Sequence, residues 1–223
     1  NIANELVAKS APDGYTLLMS TAPVAINMAL YKKLNYDTLR DFAAVSQFSA
    51  SPNILVVNAA VPVTSVAQLV ALARARPGVL NYASAGSGTT QHLSGELFKT
   101  RTGTDIVHIP YKGTAPALTA LIAANVDLSY ANIPAIHQHV KSGRLRPLAT
   151  TGPKRSEFMP EVPTMREAGV DMEVVVWYGV LAPAATPAEI VSKLAELVAR
   201  AARSPDVRQR LLDQGAEPFG NTP

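Results

Sequence analysis

Strand and helix signals alternate along the middle of the chain, from Leu80 to Thr150, and this alternation limits the possible folds more than any other feature. Short apolar runs predict strands at 80–84, 105–111, 126–130 and 145–150, separated by helical patterns at 90–102, 116–125 and 133–142. Such an order is typical of a parallel sheet with helices packed on its faces. We therefore predict an α/β fold for this region.

The flanking regions carry further elements of the same kind. Strands are predicted at 15–20 and 54–58, and a capped helix after Ser65. The apolar run Glu173–Pro183 is long enough to form a strand that passes from one lobe to another. The sequence Thr186-Pro-Ala-Glu189 has the form of a capping box and predicts a helix, and Ser204-Pro205 predicts the last one.

Composition narrows the class of protein. Of the 223 residues, 48% are hydrophobic and 17% charged, which favours a compact folded body over a disordered chain. No apolar run approaches the roughly 18 residues that a membrane helix needs. The net charge of +3 is mild and its lysines and arginines are scattered, so we expect no nucleic-acid partner. With no cysteine, the chain has neither disulfides nor thiol chemistry.

The segment after the predicted strand at 80–84 is the one most suggestive of binding. It contains Gly86, Ser87, Gly88, Thr89 and Thr90, and a helical pattern follows directly. The first amides of a helix have no partner within it and carry partial positive charge, so this arrangement can hold a carboxylate or phosphate. Glycines let the backbone approach a ligand closely or adopt positive φ. The alternative is a simple strand-to-helix turn in which Thr89 or Thr90 caps the helix.

Known enzyme motifs do not fit this segment. A dinucleotide fingerprint lacks its third glycine, because Gln91 stands there, and a phosphate-binding P-loop lacks its lysine. Ser87 is not flanked by the glycines of a nucleophile elbow. His92 could donate to a ligand or to a loop carbonyl. An α/β enzyme that acts on a carboxylated small molecule, with His92 beside Ser87 or Thr89, remains the alternative function.

The other histidines do not suggest a metal site. His137 and His139 are two residues apart on a helix and face different directions, and His108 lies in a strand, where a structural role is expected. We therefore predict no metal, no cofactor and no catalytic residue. Of the neighbours Trp177 and Tyr178 on the long strand, one must face the opposite side from the other, so Tyr178 is a candidate to line a ligand cleft.

Five stretches, in order along nearly the whole chain, resemble the Bug family, the extracytoplasmic solute receptors of tripartite tricarboxylate transporters. They are Ala11–Leu18 (APDGYTLL), Leu80–Phe98 (LNYASAGSGTTQHLSGELF), Val107–Leu118 (VHIPYKGTAPAL), Gly143–Ser156 (GRLRPLATTGPKRS) and Trp177–Pro187 (WYGVLAPAATP). No single stretch is diagnostic, but the combination is highly specific.

The resemblance implies a two-lobed periplasmic binding protein of type II-like fold, each lobe a mostly parallel sheet flanked by helices, with crossing strands between the lobes. It implies a non-enzymatic receptor that captures a small carboxylate in the cleft. It also implies location in the periplasm, delivery to membrane permease subunits, and action as a monomer. From strand order we place lobe 1 at residues 1–79 plus 180–223, and lobe 2 at 80–179. We expect a processed or partial form, since a signal peptide and the family's opening strand are absent from the sequence.

The resemblance also implies which residues contact the ligand. Gly86, Ser87, Gly88, Thr89 and Thr90 would form one wall, with His92 in the turn that follows. Thr21 and Ala22 would form the facing wall, with Tyr178 between. Where the family often has Asp-Asn after Tyr130, this chain has Ala131-Asn132. Because an amine-bearing ligand would need that carboxylate, we expect a plain carboxylate rather than an amino acid.

Overall fold

The computed structural model describes residues 1–222, which form two compact units. Unit 1 comprises residues 1–51 and 176–222, and unit 2 is Pro52–Val175. The elements in chain order are α1 (Ile2–Ala8), β1 (Leu18–Thr21), α2 (Pro23–Leu30), α3 (Thr38–Asp41), β2 (Phe42–Pro52), β3 (Ile54–Asn58), α4 (Val66–Ala75), β4 (Asn81–Ser84), α5 (Thr90–Thr102), β5 (Val107–Pro110), α6 (Thr114–Ile122), β6 (Leu128–Ala131), α7 (Ile133–Lys141), β7 (Leu145–Thr150), β8 (Val175–Pro183), α8 (Ala188–Arg203), α9 (Pro205–Asp213) and β9 (Glu217–Pro218).

Unit 2 contains a five-stranded sheet in the order β5-β4-β6-β3-β7. Strand β4 pairs in parallel with β5 and β6, whereas β3 is antiparallel to both of its neighbours, β6 and β7. Four strands therefore run in one direction and β3 in the other. As a result, β4, β5, β6 and β7 all end at one edge of the sheet, the edge at which β3 begins. We call this edge, with the loops that leave it, the carboxyl edge.

Strand β3 is an interior strand of this sheet, and both of its faces are buried. All five of its residues are buried, and the successive side chains of its four apolar residues enter different cores. Leu55 and Val57 pack with residues of α4 and α5, whereas Ile54 and Val56 pack with residues of α6 and α7. A strand with helices on both sides has this continuous apolar sequence.

The boundaries of the units differ from those predicted for the lobes. Residues 52–79, which we placed in lobe 1, lie in unit 2, because β3 is hydrogen bonded between β6 and β7 and α4 packs on the core beneath it. Position in the sequence misled the prediction: β3 precedes the alternating region but pairs in the middle of its sheet. At the other end the division falls after Val175, within the start of β8.

Unit 1 contains a four-stranded sheet in the order β1-β8-β2-β9. The pairs β1–β8 and β2–β9 are antiparallel, so the expectation of a mostly parallel sheet applies to unit 2 and not to these pairs. Small cores cover the sheet. One joins Val7, Leu18, Val24, Tyr36 and Phe42, and the other Val45, Ala182, Val191 and Ala195. Among residues 1–222, no helix is long and apolar enough to cross a membrane.

Local sequence signals account for several boundaries. Helix α5 begins and ends where predicted, with the Thr89 side chain accepting from the amide of His92 and Gly103 at φ 61° closing the helix. Ser65 caps α4 in the same way. The predicted capping box at α8 does not form. Pro187 occupies the N-cap position there, and the buried hydroxyl of Thr186 has no hydrogen-bond partner within the described chain.

Gly95 tests how closely α5 packs on the sheet. A β-carbon at this position would overlap the Tyr82 ring and lie 2.8 Å from its hydroxyl oxygen. In an exposed helix, Gly→Ala stabilises by about 0.5–1 kcal/mol, but forcing a methyl group into a filled core costs about 1–3 kcal/mol. We expect Gly95→Ala to lower the free energy of unfolding by about 1–2 kcal/mol in urea titrations. Thr100→Ala, at an exposed position of the same helix, is the control. A Gly95→Ala protein as stable as the parent would contradict this packing.

Candidate ligand-binding site

The glycine loop, residues 85–89, connects β4 to α5 at the carboxyl edge and is held by its own hydrogen bonds. The Gly86 amide donates to Ser84 Oγ at 3.1 Å, and the Thr89 hydroxyl donates to the Gly86 carbonyl at 2.7 Å. Gly86 and Gly88 have φ of 133° and 82°. Residues with a β-carbon rarely adopt these angles, so the tight path of the loop depends on both glycines.

The loop's amides divide into two groups. Four donate within the protein: Ala85 to Gln91 Oε1 at 2.7 Å, Gly86 to Ser84, Gly88 to His92 Nδ1 at 3.2 Å, and Thr89 to the Gly86 carbonyl at 3.3 Å. The amides of Ser87, Thr90 and Gln91 make no hydrogen bond within residues 1–222. The helix start therefore keeps three free donors, fewer than the sequence suggested, and the amides of Gly88 and Thr89 are already occupied.

Two further helices begin at the same edge. Helix α6 follows β5 and α7 follows β6, just as α5 follows β4. Within the described residues, the amides of Thr114 and Ala115 in α6 and of Ile133 in α7 have no protein acceptor. Each free helix N-terminus carries partial positive charge, so the three N-termini together make the electrostatic potential at this edge more positive.

The side chains at the carboxyl edge add polar groups but no negative charge. The loops at 85–89, 111–113 and 131–132 contain no Asp or Glu, and Lys112 is exposed in the second of them. Asn132, before α7, makes no capping bond with its side chain. The edge is therefore electropositive and suits an anion.

Asn53 lies at this edge and was missed by the sequence analysis. It directly precedes Ile54, whose Cα partners are Ala131 and Thr150. The Asn53 amide donates to the Thr151 hydroxyl, and the Asn53 carbonyl accepts from the Thr151 amide. The residue is 2% exposed and its Nδ2 has no hydrogen-bond partner in the described part of the chain. The strand after it was recognised but placed in the wrong lobe, so nothing in the sequence connected Asn53 to the glycine loop.

His92 lies in the first turn of α5, directly after the glycine loop. Its Nδ1 accepts from the Gly88 amide, and its ring stacks on His108 with centroids 4.2 Å apart. Within the described residues its ring makes no bond to a loop carbonyl, and its contact with a ligand stays a prediction. Burial, with a smaller contribution from His92, lowers the pKa of His108 to about 4. The structural role expected of His108 is supported by its bond to Ser84 at 2.7 Å.

The geometry does not support a catalytic reading. Within residues 1–222 the Ser87 side chain has no hydrogen bond to His92, and the Thr89 hydroxyl donates to a carbonyl. A nucleophile needs a base within hydrogen-bond reach and a third group to orient that base. No group of three potential metal-ligating side chains occurs in the described chain either.

The remaining predicted residues are neighbours in unit 1. Thr21, the last residue of β1, is the Cα partner of Tyr178 on β8. Ala22 follows as the N-cap of α2, and the amides of Ala22 and Val24 have no acceptor in the described structure. Trp177 packs into the apolar core and Tyr178 lies against Phe48, ring centroids 6.3 Å apart. Burial raises the pKa of Tyr178, so its phenol is a neutral donor at physiological pH.

Comparison with known proteins decides the family. The profile described as "Tripartite tricarboxylate transporter family receptor" matches residues 1–222. The chain belongs to this family. It is therefore a receptor of the kind found in tripartite tricarboxylate transporters, and not an enzyme. The chain spans about two thirds of the length of the first curated relatives that it matches.

Solved structures agree with this assignment and with the fold. An R. palustris protein, Rpa4515, solved with adipate, is 42% identical with a TM-score of 0.90, over 99% of this chain and 75% of that one. The periplasmic binding protein BugD is 31% identical with a TM-score of 0.87, over 99% and 74%. MatC from Rhodopseudomonas palustris, with bound malate, is 33% identical with a TM-score of 0.84, over 97% and 74%. The resemblance to the Bug family is confirmed.

Gln91 tests how the glycine loop is held. Its buried side chain accepts the Ala85 amide, and an amide left without an acceptor costs about 1–3 kcal/mol. We expect Gln91→Leu to lower the free energy of unfolding by that amount in urea titrations. Gln138→Leu, at an exposed position on α7, is the matched control and should stay within about 0.5 kcal/mol of the parent. Equal stability of the two variants would show that the Gln91–Ala85 bond does not hold the loop.

Proposed function

We propose that this receptor captures a small di- or tricarboxylate, or a related organic acid, and presents it to the permease subunits of a tripartite transporter in the periplasm. The observation that carries the proposal is the set of free amides at Ser87, Thr90 and Gln91, at an edge where three helices begin and the loops carry no acid. Two relatives solved with carboxylates, adipate and malate, support the same class of ligand.

At the glycine loop the carboxylate is held by neutral donors rather than by a salt bridge. The glycine loop contains no Arg or Lys, so affinity depends on several amides and hydroxyls acting together. A single helix dipole contributes only about 0.3–1 kcal/mol to the binding free energy. The dipole and one donor group together would therefore be too weak to give useful affinity. Asn53 and Asn132 join the residues predicted from the sequence as proposed ligand contacts, because their side-chain amide groups lie at the same edge.

Thr21, Ala22 and Tyr178 provide the second set of ligand contacts, as the family resemblance implies. The amides of Ala22 and Val24 and the neutral phenol of Tyr178 are donors of the type found at the glycine loop. Ala131, which stands where the family often has Asp, favours a plain carboxylate over an amino acid.

A thermal-shift panel tests the ligand class. We expect one or more small carboxylates, with adipate and malate as the first probes, to raise the Tm of the full chain. A ligand at 1,000 times its Kd stabilises by about 4 kcal/mol. Adipamide is the matched control, since it has the length of adipate without the charge, and should give no shift. If neutral amides raise the Tm as much as the acids do, the proposal that the receptor captures carboxylates is contradicted.

Gly88→Asp tests the glycine loop as the ligand site. An aspartate there adds negative charge beside the free amides and a β-carbon at φ 82°. We expect the carboxylate-induced rise in Tm to disappear. The control is Gly103→Asp, which makes the same change at φ 61° at the far end of α5, where no atom crowds a β-carbon. It should lose stability but retain the ligand shift. A full ligand shift in Gly88→Asp would remove the loop from the site.

Tyr178→Phe tests the contribution of unit 1. The ring keeps its contact with Phe48, and only the hydroxyl donor is lost. We expect the Kd for the best carboxylate to rise about tenfold or more in calorimetric titrations, because one hydrogen bond to a charged group contributes about 1.5–3 kcal/mol and about 1.4 kcal/mol corresponds to tenfold. Tyr15→Phe, at a residue that is 93% exposed, should leave the Kd unchanged. Unchanged affinity in Tyr178→Phe would exclude its hydroxyl from the site.

A further inference from the structure

Three aromatic rings lie stacked next to the glycine loop. Tyr82 on β4 stacks on His108 of β5 with centroids 4.8 Å apart, and His108 stacks on His92 of α5 at 4.2 Å. The stack joins two neighbouring strands to the first turn of the helix that presents the free amides. It is therefore placed to control the shape of the loop.

The two histidines hold the two glycines of the loop. His92 Nδ1 accepts directly from the Gly88 amide, whereas His108 Nε2 is bonded to Ser84 Oγ, which itself accepts from the Gly86 amide. The bond to Gly88 requires an unprotonated Nδ1, because a ring nitrogen that carries a proton has no lone pair to accept with. The observed loop is thus the loop of the neutral His92 ring.

The charges around His92 come from its own helix and from the two strands. On α5, Glu96 accepts from the Tyr82 hydroxyl at 2.7 Å and from Lys99 at 3.0 Å, so the anion and the cation are paired with each other. Burial raises the pKa of Tyr82, which stays neutral. His108 also stays neutral over the physiological range, since its pKa is lowered to about 4. Of the two histidines, His92 is the one whose ring nitrogen accepts directly from an amide of the glycine loop.

We propose that His92 is a positioning residue: its neutral Nδ1 holds Gly88 so that the amides of Ser87, Thr90 and Gln91 remain available, and its protonation releases the loop and weakens carboxylate binding. This inference rests on the proposed function. The direction of the pH effect follows from the hydrogen bond between Gly88 and His92. The Gly88–His92 contact is present when the ring is neutral and is lost as the pH falls, because a protonated Nδ1 would face another donor. Direct attraction between an imidazolium and the anion would act in the opposite direction.

Four proteins separate these effects: the parent chain, His92→Asn, His92→Phe and His137→Asn. Asparagine offers an oxygen acceptor near the position of Nδ1 and does not titrate, whereas phenylalanine keeps a stacking ring without an acceptor. His137 lies on α7, outside the stack, and controls for loss of a histidine. Adipate and malate are the probes, and their Kd is measured at pH 7.5 and 5.5.

We expect His92→Asn to bind within about twofold of the parent at pH 7.5, and His92→Phe to bind about three- to tenfold more weakly. Between pH 7.5 and 5.5 the parent and His137→Asn should lose about three- to tenfold more affinity than His92→Asn. The comparison with His92→Asn removes the titration of the ligand itself. Parent affinity that follows His92→Asn at both pH values, or that rises relative to it at low pH, would overturn the inference.

A ligand-free measurement keeps this test separate from that of the proposed function. In ¹H–¹⁵N spectra, the Gly88 amide should shift between pH 7.5 and 5.5 in the parent and not in His92→Asn. If neither probe binds any variant but Gly88 titrates in this way, carboxylate capture of these probes fails and the hold of His92 on the loop stands. If the probes bind but Gly88 does not titrate with His92, the positioning role fails and the proposed function stands.

Discussion

The structure of the candidate site depends on how the hydrogen-bond donors of one short loop are divided. Seven amides, from Ala85 to Gln91, lie between the end of β4 and the first turn of α5, and the protein satisfies four of them itself. Those four fix the path of the loop, and the three that remain are held in place without being used. A loop with all its amides free would have to become ordered on binding, at a cost in conformational entropy, and one with all of them occupied could not bind. The division gives the ligand donors that are already positioned.

The sheet extends this arrangement beyond a single loop. Because β4, β5 and β6 are parallel, the helices that follow them all begin at one edge, and their N-termini reinforce each other. Because β3 runs in the opposite direction, its first residues reach the same edge and bring Asn53 with them. The antiparallel strand thus enlarges the polar site without adding charge. The same features suit an organic acid and are unfavourable for a cation, which agrees with membership of a tricarboxylate-transporter receptor family.

The sequence was sufficient to predict those elements whose bounds depend on residues nearby in the chain. The bounds of α5, β3 and β7 follow from capping residues and apolar runs, and the glycine loop follows from its composition. The sequence was not sufficient to predict features that depend on pairing between residues far apart in the chain. Strand β2, with its small and polar residues in FAAVSQFSASP, has no clear strand pattern, and α2 begins without a side-chain cap. The place of β3 in the sheet of unit 2 depends on partners more than 70 residues away along the chain. That is why Asn53 was missed.

We propose that the free amides of Ser87, Thr90 and Gln91 receive the carboxylate. A crystal structure of the receptor with a bound organic acid tests it most directly. We expect at least two of these nitrogens to bind carboxylate oxygens, either directly at about 2.7–3.2 Å or through one ordered water, with the Gly88–His92 bond intact. A ligand bound elsewhere, with the three amides bonded only to solvent, would contradict the account even if the fold and the family remained as described.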